Sequence, residues 1–130
     1  MNKPTPNRPG GNRVIDAPFV FIDLPHFLEE IKSEPTWEKS DRNAITIFKS
    51  GGITIVLTAL RKDAVLDDVS KEGTVLLQVI NGRLSINETD AQIAQGQMLT
   101  IHEGHKLRMK SETDSVLLLT VVRELSGQIF

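Results

Sequence analysis

Apolar residues recur along this chain with two different periods, and the change from one to the other falls near residue 44. Before it, Leu24, Phe27, Leu28 and Ile31 stand at i, i+3, i+4 and i+7, the spacing that gathers side chains on one stripe of an α-helix. Asp23 precedes the run as an N-cap, and Pro25 sits in the first turn, where a missing amide hydrogen is tolerated. Pro35 stops the pattern, so it predicts a helix over about 23–33 with Glu29, Glu30 and Lys32 facing water. Trp37, in a turn or short helix just beyond, predicts one large ring packed onto the body.

From residue 44 the period is that of strands, predicted at 44–49, 53–61, 74–80, 83–87, 91–94, 98–101, 106–110 and 115–124. Gly51-Gly52 and Asn81-Gly82 read as two-residue hairpin turns, Asn-Gly being the strongest short hairpin signal. Asp90, Gln95-Gly96, Glu103-Gly104 and Thr113-Asp114 punctuate the rest. No helical crossover follows residue 44, which argues against a parallel sheet and for an all-β barrel or sandwich with a small N-terminal helix. The strands at 74–80 and 115–122 are apolar on both faces. A strand with one wet face alternates strictly, so each of these needs a second cover: another sheet, residues 14–37, or another subunit. A homodimer is the expectation.

Length and composition narrow the picture. The 130 residues fit one domain of the usual size, about 100–200 residues. Fifteen Lys+Arg against 17 Asp+Glu leave no clustered basic excess for nucleic acid or an acidic membrane surface. With no cysteine, a disulfide scaffold, a thiolate nucleophile and Cys-based zinc sites are excluded. The most apolar stretch, 116–122, falls far short of the about 20 residues that a membrane helix needs. Residues 1–13, with Pro4, Pro6, Pro9, Gly10 and Gly11, predict an extended arm ahead of a domain over 14–130. No apolar core follows their basic residues, so no export signal is read and a cytoplasmic location is expected.

Over roughly 53–122 the chain resembles the cupins, in the segments LQVINGRLSI and DSVLLLTVV, and upstream in LPHFLEEIKSEPTW. Cupins carry two spaced motifs of glycines, histidines and a glutamate. Anchoring the first on Gly82 puts its glutamate at Val75, its histidines at Lys71 and Val69, and its opening glycine at Asp63. Anchoring the second on Gly96 puts its proline at His102, its second glycine at Gly104, its histidine at Leu107 and its asparagine at Ser111. The resemblance implies a double-stranded β-helix (RmlC-like jelly-roll) barrel. It also implies that all four metal-ligand positions have been replaced.

Valine and leucine offer no lone pair, and an ammonium repels a cation, so neither a metal nor another cofactor is expected at those positions. Val69, Lys71, Val75 and Leu107 then become candidates for lining a ligand site inside the barrel. Lys71 would either hold an anion there or face water at a charged loop tip. A second candidate is a shifted metal site from Asp67, Asp68, His102 and His105, with His26 as a distant third imidazole. His105 has no evident partner as a general base, and Ser111, Ser115 and Thr100 have no recognisable base beside them.

Three readings stay open. One is a metal-free binding or accessory module for a small apolar or anionic ligand. Another is an enzyme with the non-standard site, and the third is a structural or regulatory homodimer. An open pocket at Val69, Val75 and Leu107 would favour the first, an ion near His102 and His105 the second, and a filled barrel the third.

Overall fold

A computed structural model describes residues 18–123; the arm expected over 1–13 lies outside them. Two helices come first, α1 (Leu24–Ser33) and α2 (Pro35–Lys39). Nine strands follow among the described residues: β1 (Arg42–Lys49), β2 (Ile53–Leu60), β3 (Val65–Asp67), β4 (Thr74–Asn81), β5 (Arg83–Ile86), β6 (Gln92–Ala94), β7 (Met98–Ile101), β8 (Arg108–Ser111) and β9 (Ser115–Val122). They form two antiparallel sheets, one in the order β1-β2-β9-β4-β7 and one in the order β3-β8-β5-β6. Among the described residues no helix is long and apolar enough to cross a membrane.

The eight expected strands are all present. The ninth, β3, is three residues long and too short to show a period; it lies between Asp63 and Asp68, both at positive φ. The Gly51-Gly52 hairpin joins β1 to β2, closed by the Ser50 N–H donating to the Ile53 carbonyl at 2.8 Å. Asn81-Gly82 does something other than expected. β4 and β5, on either side of it, belong to different sheets and do not pair. The chain turns a barrel corner there, after an irregularity in the β4–β9 register between Val79 and Asn81. Gly82 supplies the positive φ of 96° that the corner needs.

Alternation along the strands divides the apolar side chains into two cores. Between the sheets, Val75, Leu77 and Val79 of β4 meet Leu117 of β9, Leu84 of β5 and Met109 of β8. On the outward face of the larger sheet, Ile45, Ile47, Leu57, Ala59 and Val116 pack against Ile31 and Trp37 of the helices. The helix stripe forms as its spacing predicts, with the Asp23 side chain accepting from the His26 N–H at 3.4 Å. Glu30, expected to face water, is buried instead, because α1 packs against α2 as well as against β1 and β2. His26 Nε2 stands 3.2 Å from its carboxylate.

Buried Asn43 fastens the helical layer to the sheet. Its Nδ2 donates to the Ile31 carbonyl and to Glu34 Oε1, each at 2.8 Å. The Trp37 ring lies under the guanidinium of Arg61, 4.0 Å from the ring centre, and Arg61 also donates to the Trp37 carbonyl at 2.8 Å.

Candidate functional site

Four backbone positions define the frame in which a site would be built. Asp63, Gly82, Gly96 and Gly104 all have positive φ, at 73°, 96°, 84° and 82°. These are the four glycine positions of the two spaced motifs, and the turn geometry holds even where aspartate stands for glycine.

The side chains carried on that frame make a different site from the one the motifs describe. Val75 points inward from β4 and is fully buried. Val69 and Leu107 are half-buried against the same core. Lys71 is exposed, in the loop between β3 and β4. Three of the four positions therefore meet in one apolar cluster, and the fourth stands at the rim. The donors that a metal centre requires are absent from all four. With Leu77, Val79, Leu84, Met109 and Leu117 at 0–1% exposure, the barrel interior is filled.

The space lies at the mouth. A cavity of about 750 Å³ opens where the β1–β2 hairpin, the end of β9 and the 68–72 loop converge. Val56, Val69 and Val121 give it an apolar floor; Lys49, Lys71 and Arg123 bring three cations, and Asp68 and Glu72 two carboxylates. Val75 and Leu107 do not line it. Arg123 is fixed in place: its Nη2 donates to Thr54 Oγ1 at 2.6 Å and its backbone N–H to the Gly52 carbonyl at 2.8 Å. Among the described residues, neither Lys49 nor Lys71 has an ion-pair partner.

The loop that presents Lys71 is tightly anchored. Fully buried Ser70 donates its hydroxyl to the His105 carbonyl at 2.9 Å, and its own carbonyl accepts from the Gly104 N–H at 2.8 Å. Gly73 abuts the end of β9 so closely that a Cβ there would lie 2.6 Å from the Val122 carbonyl oxygen.

The second candidate set is not assembled. His102 and His105 are exposed with ring centres 6.3 Å apart. The Asp67 carboxylate is paired with Arg108 at 3.2 Å, while Asp68 lines the mouth cavity. His26 lies against Phe27 and Glu30 on α1, over the other core. Among the described residues no three His, Asp or Glu side chains converge as a metal would require.

Neither a family model nor a curated protein matches the sequence. Solved structures match the architecture. A conserved protein of unknown function from Streptococcus pyogenes superposes with a TM-score of 0.62, covering 87% of this chain and 94% of its own at 19% identity. A cupin superfamily protein from Desulfitobacterium hafniense DCB-2 does so with a TM-score of 0.62, covering 86% and 97% at 10% identity. This chain has the cupin fold. A protein with a double-stranded β-helix domain from Klebsiella pneumoniae covers 68% of it and 82% of itself, with a TM-score of 0.58 at 12% identity. At such identities the likeness concerns the cupin fold and not an activity.

Within that cupin fold, Lys49, Thr54, Val56 and Arg123 are among the mouth residues that the sequence did not single out. Strand parity was the available signal: Thr54 and Val56 share the inward face of β2, Val121 that of β9, and Arg123 follows two residues after Val121 just past the end of β9. Parity says which way a residue points, and the cavity becomes apparent only when three distant segments are brought together.

Proposed function

We propose that the protein is a cupin-fold binding module that works without a metal in the barrel and takes a small anion with an apolar part at the barrel mouth. The observation that carries this reading is the set of Lys49, Lys71 and Arg123 around a valine floor. Three cations against two carboxylates leave the cavity one charge positive, and the guanidinium is already oriented by Thr54. A guanidinium held in place loses less freedom on binding a carboxylate or phosphate than a free one. The apolar floor would take the remainder of the ligand out of water. The filled interior supports a second reading, a purely structural or regulatory role, in which the mouth holds only water.

Thermal unfolding with hexanoate, hexyl phosphate and hexylamine separates the two. Binding stabilises the folded state by about 1.4 kcal/mol at ten times Kd. The two anions are expected to raise Tm in a concentration-dependent way and hexylamine is not, and Lys71→Gln combined with Arg123→Gln should remove the effect. If no anion shifts Tm, or hexylamine shifts it equally, the anion site is refuted.

A further inference from the structure

The mouth cavity is lined by charges of both signs that do not neutralise one another. Among the described residues, none of Lys49, Lys71, Arg123, Asp68 and Glu72 has an ion-pair partner, although all five line the same space. They sit on two separate segments. Thr54 is the register partner of Lys49 and also accepts from the Arg123 guanidinium, which puts these two cations together on the hairpin side. Asp68 and Glu72 sit on the 68–72 loop, where the single ammonium of Lys71 offsets only one of them. One wall is therefore positive and the other negative on balance. The loop backbone is held in place: Asp68 takes a positive φ of 52°, its N–H donates to the Leu107 carbonyl at 3.3 Å, and its carbonyl accepts from the Lys71 N–H at 3.2 Å.

We propose that this cavity takes an amphoteric ligand, a free amino acid with an apolar side chain, its carboxylate at Lys49 and Arg123 and its ammonium at Asp68 and Glu72. Its carboxylate is the anion of the site proposed above, on which this assignment rests, and its ammonium is new. The side chain lies on the floor of Val56, Val69 and Val121. The volume of about 750 Å³ is ample, within the range of about 300–1,000 Å³ usual for small-molecule pockets.

A second charge on the ligand follows from the two walls. An acid without an amine brings a negative charge up to Asp68 and Glu72 and gives them no counter-ion. Like charges brought together cost affinity, and an ammonium turns that cost into attraction. An amine without an acid meets three cations and leaves them unpaired.

Isothermal titration calorimetry with hexanoate, norleucine and N-acetylnorleucine tests this, because the three share one acid chain without an amine, with an ammonium, and with that charge removed. Norleucine should bind roughly tenfold tighter than hexanoate, the scale of one hydrogen bond to a charged group. N-acetylnorleucine should fall back to the hexanoate level. Asp68→Asn combined with Glu72→Gln should weaken norleucine roughly tenfold and tighten hexanoate, opposite effects that a merely damaged cavity cannot give. Asparagine tolerates positive φ and both residues are exposed, so the fold is kept, which an unchanged far-UV spectrum checks. If hexanoate binds and norleucine binds no tighter, the amphoteric ligand is overturned and the anion site stands. A double variant that weakens both ligands alike also overturns it. Failure of hexanoate and norleucine together overturns both assignments.

Discussion

Gly82→Ala is expected to lower stability by about 2–5 kcal/mol, a large share of the 5–15 kcal/mol typical of a domain. Two costs combine. At φ +96° an L-residue is strained by about 1–2 kcal/mol. The added methyl would also overlap the Ser115 hydroxyl, and would lie 2.7 Å from Ser115 Cβ and 2.8 Å from the Asp114 carbonyl oxygen. Ser115 cannot step aside freely. It is fully buried, and its Oγ accepts from the Arg83 N–H at 3.2 Å and donates to the Thr113 carbonyl at 2.9 Å. Relieving the overlap means overpacking or breaking those bonds, at about 1–3 kcal/mol. Gly96→Ala is the control, since φ there is +84° but nothing lies within 4 Å of the new methyl. It should cost only the backbone strain, about 1–2 kcal/mol. Urea unfolding of the two variants gives the comparison, and equal losses would show that crowding at the corner contributes nothing.

Trp37→Ala should cost about 3–5 kcal/mol, the usual loss for truncating a large buried ring. The ring is 7% exposed and is packed in the outward core beside Ile45, Ile47 and Leu57. Its removal also strips Arg61 of its stacking surface, a contact worth about 0.5–2 kcal/mol. Thermal unfolding followed by circular dichroism should show Tm lowered by roughly 10 °C or more. Trp37 is the only tryptophan in the chain, so wild-type fluorescence reports the helical layer alone. Arg61→Ala should therefore shift that emission while costing far less stability. A Trp37→Ala protein that melts with the wild type would mean that the layer adds little to the sheet beneath it.

The helix at Leu24–Ser33 and the eight longer or better-punctuated strands were legible because periodicity is local: the side chains that define it are neighbours in sequence. Asn81-Gly82 was misread for an instructive reason. The residue pair specifies a positive φ, which the corner uses, but which strands then pair is decided by partners far away, here Val116 for Asn81. Of the replaced motif positions, Val69, Val75 and Leu107 lie in or against one apolar cluster, and Lys71 stands apart in an exposed loop. That Val75 and Leu107 pack shut while the space moves out to Lys49, Thr54 and Arg123 depends on side-chain volume in three dimensions. Burial of Glu30 was missed for the same cause, since the helical pattern says nothing about α2 lying against its flank.

The position of β9 between β2 and β4 also governs how the chain reaches this structure. β1 can zip to β2 as soon as their hairpin exists, and β4 to β7 once residue 101 is made. Joining these two ribbons waits for Ser115–Val122, because Ile53 pairs with Val122 and Thr74 pairs with Val122 from the other side. Until then β2 and β4 each present an open, largely apolar edge, the kind of edge that recruits strands from other chains. Such long-range closure is slow compared with local hairpin formation. A nascent chain halted before residue 115 would therefore hold every strand of the smaller sheet but only two unjoined ribbons of the larger one, so closing that larger sheet falls to β9.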